Sequence, residues 1–145
     1  MDISIIIPSY NSKKTIELSL DSIFNQETKV EYEIIVVDSS PNNLVDNIIK
    51  KYSKIKFIKL KEKTFPGIAR NIGAKKAEGE LLVFIDSDII IPKDWLENVV
   101  DYYKYGHNVF IGSIDIWKNI SRRVRKADGG AAERFLWKMR RERTT

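Results

Sequence analysis

Cysteine is absent from this chain. Disulfides and thiolate metal sites are therefore excluded, and the redox compartment is left open, a reducing one being compatible. Histidine occurs once, as His107 directly after Gly106. A zinc helix of the H-E-x-x-H kind has no residues to build it, and His107 reads as a solvated turn residue. No apolar stretch approaches the ~20 residues that span a bilayer. Asp2 leads straight into a strand pattern, which does not resemble a signal peptide. Two phosphate signatures are missing as well. Without G-x-x-x-x-G-K-[ST] the chain is not expected to be a P-loop ATPase, and without G-x-G-x-x-G after the first strand dinucleotide binding is not expected. Internal repeats and low-complexity tracts are also lacking.

What is present describes a globular domain. The 145 residues, 43% hydrophobic and 31% charged, are enough for a core that needs no staples. The net charge of +5 is uneven. Lys118, Arg122, Arg123, Arg125, Lys126, Arg134, Lys138, Arg140, Arg141 and Arg143 crowd the end of the chain. This divides the chain into a domain over 1–117 and a basic segment over 118–145, expected to be helical at least in part, with a final helix through Phe135, Leu136 and Met139. An anionic partner is implied for the segment. Its arginines lack a base-reading module, so nucleic acid is not expected, whereas Phe135, Leu136 and Trp137 beside them suit peripheral contact with an anionic membrane. Closure of the sheet's open face by Phe135, Leu136 and Met139 is the plainer alternative.

Short β-branched runs alternate with helical patterns. Residues 3–7 (Ile-Ser-Ile-Ile-Ile, stopped by Pro8), 32–37, 55–60 and 81–85 read as strands. The last of these, a continuous apolar run, predicts burial on both faces. The third alternates with Lys56 and Lys59 and suits a sheet edge. Between them fall a helix with Ile16, Leu20, Ile23 and Phe24 on one side, a helix with Leu44, Ile48 and Ile49 inward, and a helix from Gly67 to about Glu78. A fourth helix, introduced by Pro92 and Asp94, turns Trp95, Leu96, Val99 and Val100 inward. Residues 108–116 read as a further strand. The fold class is α/β, with a Rossmann-like, mainly parallel sheet flanked by helices.

In such a sheet ligands bind beyond the carboxyl ends of the strands. Three strands end there in polar residues: Pro8-Ser9, Asp38-Ser39-Ser40, and Asp86-Ser87-Asp88. Two acids one residue apart can present hard oxygens to a divalent cation holding a diphosphate, although Asp and Ser are also ordinary turn residues. A carboxylate such as Asp38 can accept from a base or a ribose. A cation such as Arg70 can offer paired donors to a phosphate or hold a carboxylate in place. Gly67 and Gly73 would permit close backbone approach.

Four stretches carry a family resemblance: IIIPSYN over 5–11, EIIVVDSS over 33–40, GIARNIGAKKAEGE over 67–80 and LLVFIDSD over 81–88. In order and spacing they resemble the successive signatures of family 2 glycosyltransferases with the GT-A fold, across roughly the first two-thirds of the chain. The resemblance implies a nucleotide-sugar donor, most often a UDP-sugar, a Mg²⁺ or Mn²⁺ ion, a glycan or lipid-linked acceptor, and transfer with inversion. By position, Pro8, Ser9 and Tyr10 would line the nucleotide pocket, Asp38 would receive the base, and Arg70 would sit near base or diphosphate. Asp86 and Asp88 match the DXD motif. Asp88 would be the direct metal ligand, with Asp86 nearer the ribose or a metal-bound water. The implied location is cytoplasmic, with peripheral contact at the inner membrane face.

Inverting transfer needs a base for the acceptor hydroxyl. The acids after Asp88 are Asp94, Glu97, Asp101, Asp115, Asp128, Glu133 and Glu142. None sits in a recognisable family motif, and no catalytic residue is assigned. The alternative to an active transferase is therefore a nucleotide-sugar-binding module that lacks its own base.

Overall fold

The computed structural model describes residues 3–106 and, as backbone, the strands Ser113–Ile116 and Phe135–Lys138. The chain divides into two compact units. One comprises Met1–Glu17 and Lys29–Ser87, the other Leu18–Thr28 and Asp88–Thr145. The boundary expected between residues 117 and 118 lies outside the described residues.

The first unit is built on four strands, β1 (Ile3–Ser9), β2 (Tyr32–Asp38), β3 (Ile55–Lys59) and β4 (Leu81–Phe84), in the order β3-β2-β1-β4. All three pairings are parallel, as the alternation of strand and helix patterns predicts. The register sets Ser9 beside Asp38 and Asp38 beside Lys59. The β1–β4 pairing stops at Ile6 and Phe84. Central β1 is buried along its whole length, which its run of isoleucines suits. Pro8 is tolerated within it for a specific reason. Ile6 accepts from the Ile85 N–H on the β4 side and Ser9 accepts from the Ser39 N–H on the β2 side. Pro8, two residues from Ile6, therefore faces the β4 side, where the ladder has already ended and no donor is required.

Helix α1 (Ile16–Phe24) begins in this unit, and helices α2 (Leu44–Ile49) and α3 (Pro66–Ala74) lie wholly within it. Proline at the first turn and Phe65 in extended backbone start α3. Its Ala69 joins Ile6, Ile35 and Val37 in the core, with Ile58, Leu60 and Ile72 at the margin. Gly73 is the contact that lets the helix lie on the sheet, since a Cβ there would stand 2.5 Å from Ile6 Cγ2. The expectation that Gly73 serves ligand approach is corrected, and Gly67 has open space around its Cα. Gly79 is equally close-packed, its added Cβ falling 2.6 Å from the Ser4 nitrogen.

Three further expectations change. Helix α3 stops at Ala74 and not near Glu78. Leu44 is exposed and Val45 buried in its place, because the helix starts with Leu44 at its first position. Strand β4 is buried on one face only, with Leu82 40% and Phe84 48% exposed. It is the edge of this sheet, and an unbroken apolar run carries no alternation to announce that. The edge position expected for β3 is observed.

In the second unit, helix α4 (Trp95–Lys104) buries Trp95, Leu96, Val99 and Val100, as its spacing predicts. Gln26 organises this unit. Its Oε1 accepts the Leu96 N–H at 3.0 Å and its Nε2 donates to the Pro92 carbonyl. The second residue of α4 thus gets from a distant amide the cap that Asp94 does not supply. Strands β5 (Ile89–Ile90), β6 (Ser113–Ile116) and β7 (Phe135–Lys138) form a sheet in the order β5-β7-β6. The final helix expected through Phe135 is corrected over 135–138 to strand, where the aromatic and branched residues find ladder partners in β5 and β6. The remainder of the basic segment, and residues 108–112 of the expected strand over 108–116, lie outside the described residues. Among the described residues, no helix is long and apolar enough to cross a membrane.

Candidate functional site

Parallel strands deliver the carboxyl ends of β1, β2 and β3 to one rim, and of the residues predicted there Ser9 and Asp38 meet. Asp38 ends β2 with its side chain fully buried. Oδ1 accepts from the Ser9 hydroxyl at 2.7 Å and from the Ser40 hydroxyl at 2.7 Å. Oδ2 accepts from Lys59 Nζ at 2.8 Å and from the Ser40 N–H at 3.3 Å. A carboxylate offers about four lone-pair sites, so these donors fill it. The longest of the four, from the Ser40 amide, is the weakest.

The serines pass this order on to the loop after β1. The Ser9 proton goes to Asp38, so the hydroxyl of Ser12, buried beside it, donates to the Ser9 oxygen. The Ser40 oxygen in turn accepts the Asn11 N–H at 2.8 Å. Asn11 has φ 53, a left-handed conformation that asparagine tolerates better than most residues. That turn leaves Tyr10 exposed, with the Lys63 ammonium 4.6 Å from its ring centroid. An exposed tyrosine with a cation over it is a ready surface for a flat, anionic ligand. Pro8, by contrast, is buried in the sheet.

Arg70, on the second turn of α3, donates to Asp86 Oδ1 at 2.5 Å, with side chains 34% and 52% exposed. Of the two roles read for Arg70, holding a carboxylate in place is the one observed. Asp88 stands two residues on, where the second unit begins. Among the described residues no group of three or more His, Cys, Asp or Glu side chains gathers to hold a metal ion. A Mg²⁺ or Mn²⁺ ion that keeps several waters and takes oxygens from a diphosphate needs only one or two carboxylates. As hard oxygen donors, Asp86 and Asp88 are each of the residue type that such an ion takes.

Sequence reasoning missed Lys59. Its ammonium contacts Asp38, Asp46 Oδ1 at 2.9 Å and the Asn42 carbonyl at 2.6 Å. Burial by itself would lower its pKa, but the hydrogen bonds to Asp38 and Asp46 more than offset this and raise it. Aligning the second and third strands in parallel would have revealed the residue, because Lys59 falls opposite Asp38. The roles of Ser12 and Ser40 depend on how two loops meet, which no spacing reports.

Comparison with known proteins agrees with this architecture. The profile described as Glycosyl transferase family 2 matches residues 4–145. The poly(ribitol-phosphate) beta-N-acetylglucosaminyltransferase TarS of Staphylococcus aureus is 34% identical over 113 residues, covering 74% of this chain and 20% of that protein. The chain thus spans about a fifth of that relative's length. The crystal structure of S. aureus TarS 1-349 in complex with UDP superimposes with TM-score 0.67 at 34% identity, over 79% of this chain and 34% of that one. A mannosyltransferase of Pyrobaculum calidifontis, in complex with GDP-Man and Mn²⁺, gives TM-score 0.64 at 26% identity, over 84% of this chain and 37% of that one.

Proposed function

The chain belongs to glycosyl transferase family 2, and on that premise we propose that it binds a nucleotide-diphosphate sugar, a UDP-sugar first, at the rim formed by Ser9, Asp38 and Asp86, for inverting transfer of the sugar to a glycan or lipid-linked acceptor. The observation that carries this reading is the convergence, at the carboxyl ends of parallel strands, of the buried Ser9–Asp38 pair and the Arg70–Asp86 pair. The structural relatives are complexes with UDP and with GDP-Man. These complexes support UDP as the ligand of the proposed site, with Tyr10 offering a ring face to the base.

Each residue has a distinct task in this reading. Pro8 and Ser9 form the floor under Tyr10. Asp38 supports the base, and an N–H of the base takes the place of the Ser40 amide, the most weakly held of its four donors. Arg70 fixes Asp86 toward the ribose or a metal-bound water. Asp88 is the proposed direct ligand of Mg²⁺ or Mn²⁺. The cation, when bound, neutralises the diphosphate and so makes it a better leaving group.

Transfer requires a hydroxyl of the acceptor to lose its proton as it attacks the anomeric carbon. Glu97 is engaged by the Thr28 hydroxyl at 2.7 Å, and we assign no base. The relative's name describes a poly(ribitol-phosphate) acceptor in that protein. The Lys and Arg side chains over 118–143 support an anionic acceptor, or a membrane surface carrying it, for this chain as well. Calorimetric titration with UDP and with UDP-sugars tests the donor reading, and release of UDP in the presence of an acceptor polymer tests turnover.

A further inference from the structure

Lys59 sits on the edge strand β3, and its reach goes well beyond its neighbours on that strand. An ammonium has three protons to donate. Here all three find acceptors on separate pieces of chain: the Asp38 carboxylate at the tip of β2, the Asn42 carbonyl in the loop after it, and Asp46 in the first turn of α2, at 2.8, 2.6 and 2.9 Å. The side chain is 28% exposed, while the carboxylate it meets is wholly buried. A buried carboxylate stripped of its cation is costly to keep charged. The same carboxylate orients both serine hydroxyls, and Ser40 holds the Asn11 amide. A shift of residues 39–43 therefore reaches the turn that presents Tyr10.

We propose that Lys59 is a positioning residue for the donor nucleotide: it ties the ends of β2 and β3, the loop over 39–43 and the start of α2 into one preformed base-side cradle, without touching the nucleotide itself. The proposal rests on the donor reading above. Its physical content is pre-organisation. With the ammonium in place, the loop is ordered before the ligand arrives, and ligand binding does not bear the cost of ordering it.

The test uses calorimetric titration of the full chain with uridine and, separately, with UDP, alongside thermal melts. Lys59→Met keeps the alkyl stem and removes the charge. It is expected to weaken uridine and UDP by a similar factor, on the order of tenfold, at temperatures where the variant is fully folded. Asp46→Asn leaves the ammonium and Asp38 together and loosens only the tie to α2. Its expected effect is about two- to threefold on both ligands, and it carries the test if Lys59→Met fails to fold. Folded variants that bind both ligands as tightly as the unmodified chain would overturn the proposal and leave Lys59 a purely structural residue. Loss of UDP binding with uridine unaffected would overturn it too, because the ammonium would then act on phosphate. Failure of the unmodified chain to bind either ligand overturns the donor reading itself, and is distinguished by occurring before any substitution.

Discussion

Ser9 and Asp38 are register partners on β1 and β2, and the Ser9 hydroxyl donates to the Asp38 carboxylate at 2.7 Å with both side chains out of reach of solvent. Ser9→Ala removes one of four donors to a buried charge and leaves the Ser12 hydroxyl without its acceptor. A loss of about 1–2 kcal/mol in denaturant stability is expected. Nucleotide affinity should fall with it, and calorimetry on the folded variant checks that.

Stability and binding should separate at Arg70. Its pair with Asp86 is partly open to solvent on both sides, so Arg70→Met should change stability by no more than roughly 1 kcal/mol. UDP affinity should fall about tenfold, since Asp86 is then free to leave its position. Arg70→Lys should not restore it, because a lysine cannot reproduce the planar fork. A parallel melt and titration of the two variants decides the matter.

Gly73 sets two effects against each other. Alanine gains up to about 1 kcal/mol in helix propensity over glycine. Its methyl would stand 2.5 Å from Ile6 Cγ2 and 3.3 Å from Val37 Cγ2, and Ile6 is a stiff β-branched residue on the central strand. Overpacking of that kind costs about 1–3 kcal/mol, so the net change for Gly73→Ala is expected to be destabilising. A midpoint shift in urea at unchanged slope would show it.

Acid should weaken the opposite end of the sheet through Glu33. Burial alone would raise its carboxyl, but the Ser4 hydroxyl, the Glu78 N–H and the Lys56 ammonium favour the charged form and bring it from 4.5 down to about 2. The folded-state value lies below the unfolded one. The stabilisation is therefore complete above about pH 4.5 and is lost as the pH falls toward 2. Glu33→Gln should lower stability at pH 7 by roughly 1–3 kcal/mol and flatten the acid dependence below pH 4.5. Denaturation of both proteins between pH 7 and pH 3 checks the slope.

The parallel sheet was legible because β-branched runs, each ending in polar residues, alternate with helical spacing. The same holds for the inward face of α4. The common rim follows from parallel strands alone. Other features depend on what lies across space. Leu82 and Phe84 lie on an uncovered face of β4, and nothing within the run itself distinguishes a covered face from an open one. Gly73 looked like a ligand-approach glycine, whereas its neighbours are Ile6 and Val37. Over 135–138, Phe-Leu-Trp-Lys suits either helix or strand, and its pairing with β5 and β6 decides for strand. Lys59 looked like one of two lysines marking a sheet edge, and only the register with Asp38 exposes its role.

The central proposal is that the rim is a donor-nucleotide site that uses a divalent cation. Calorimetric titration of the folded chain with UDP, once with Mn²⁺ and once with EDTA, tests this most directly. Saturable one-to-one binding that weakens clearly in EDTA is the predicted result. No detectable UDP binding in either condition would contradict it.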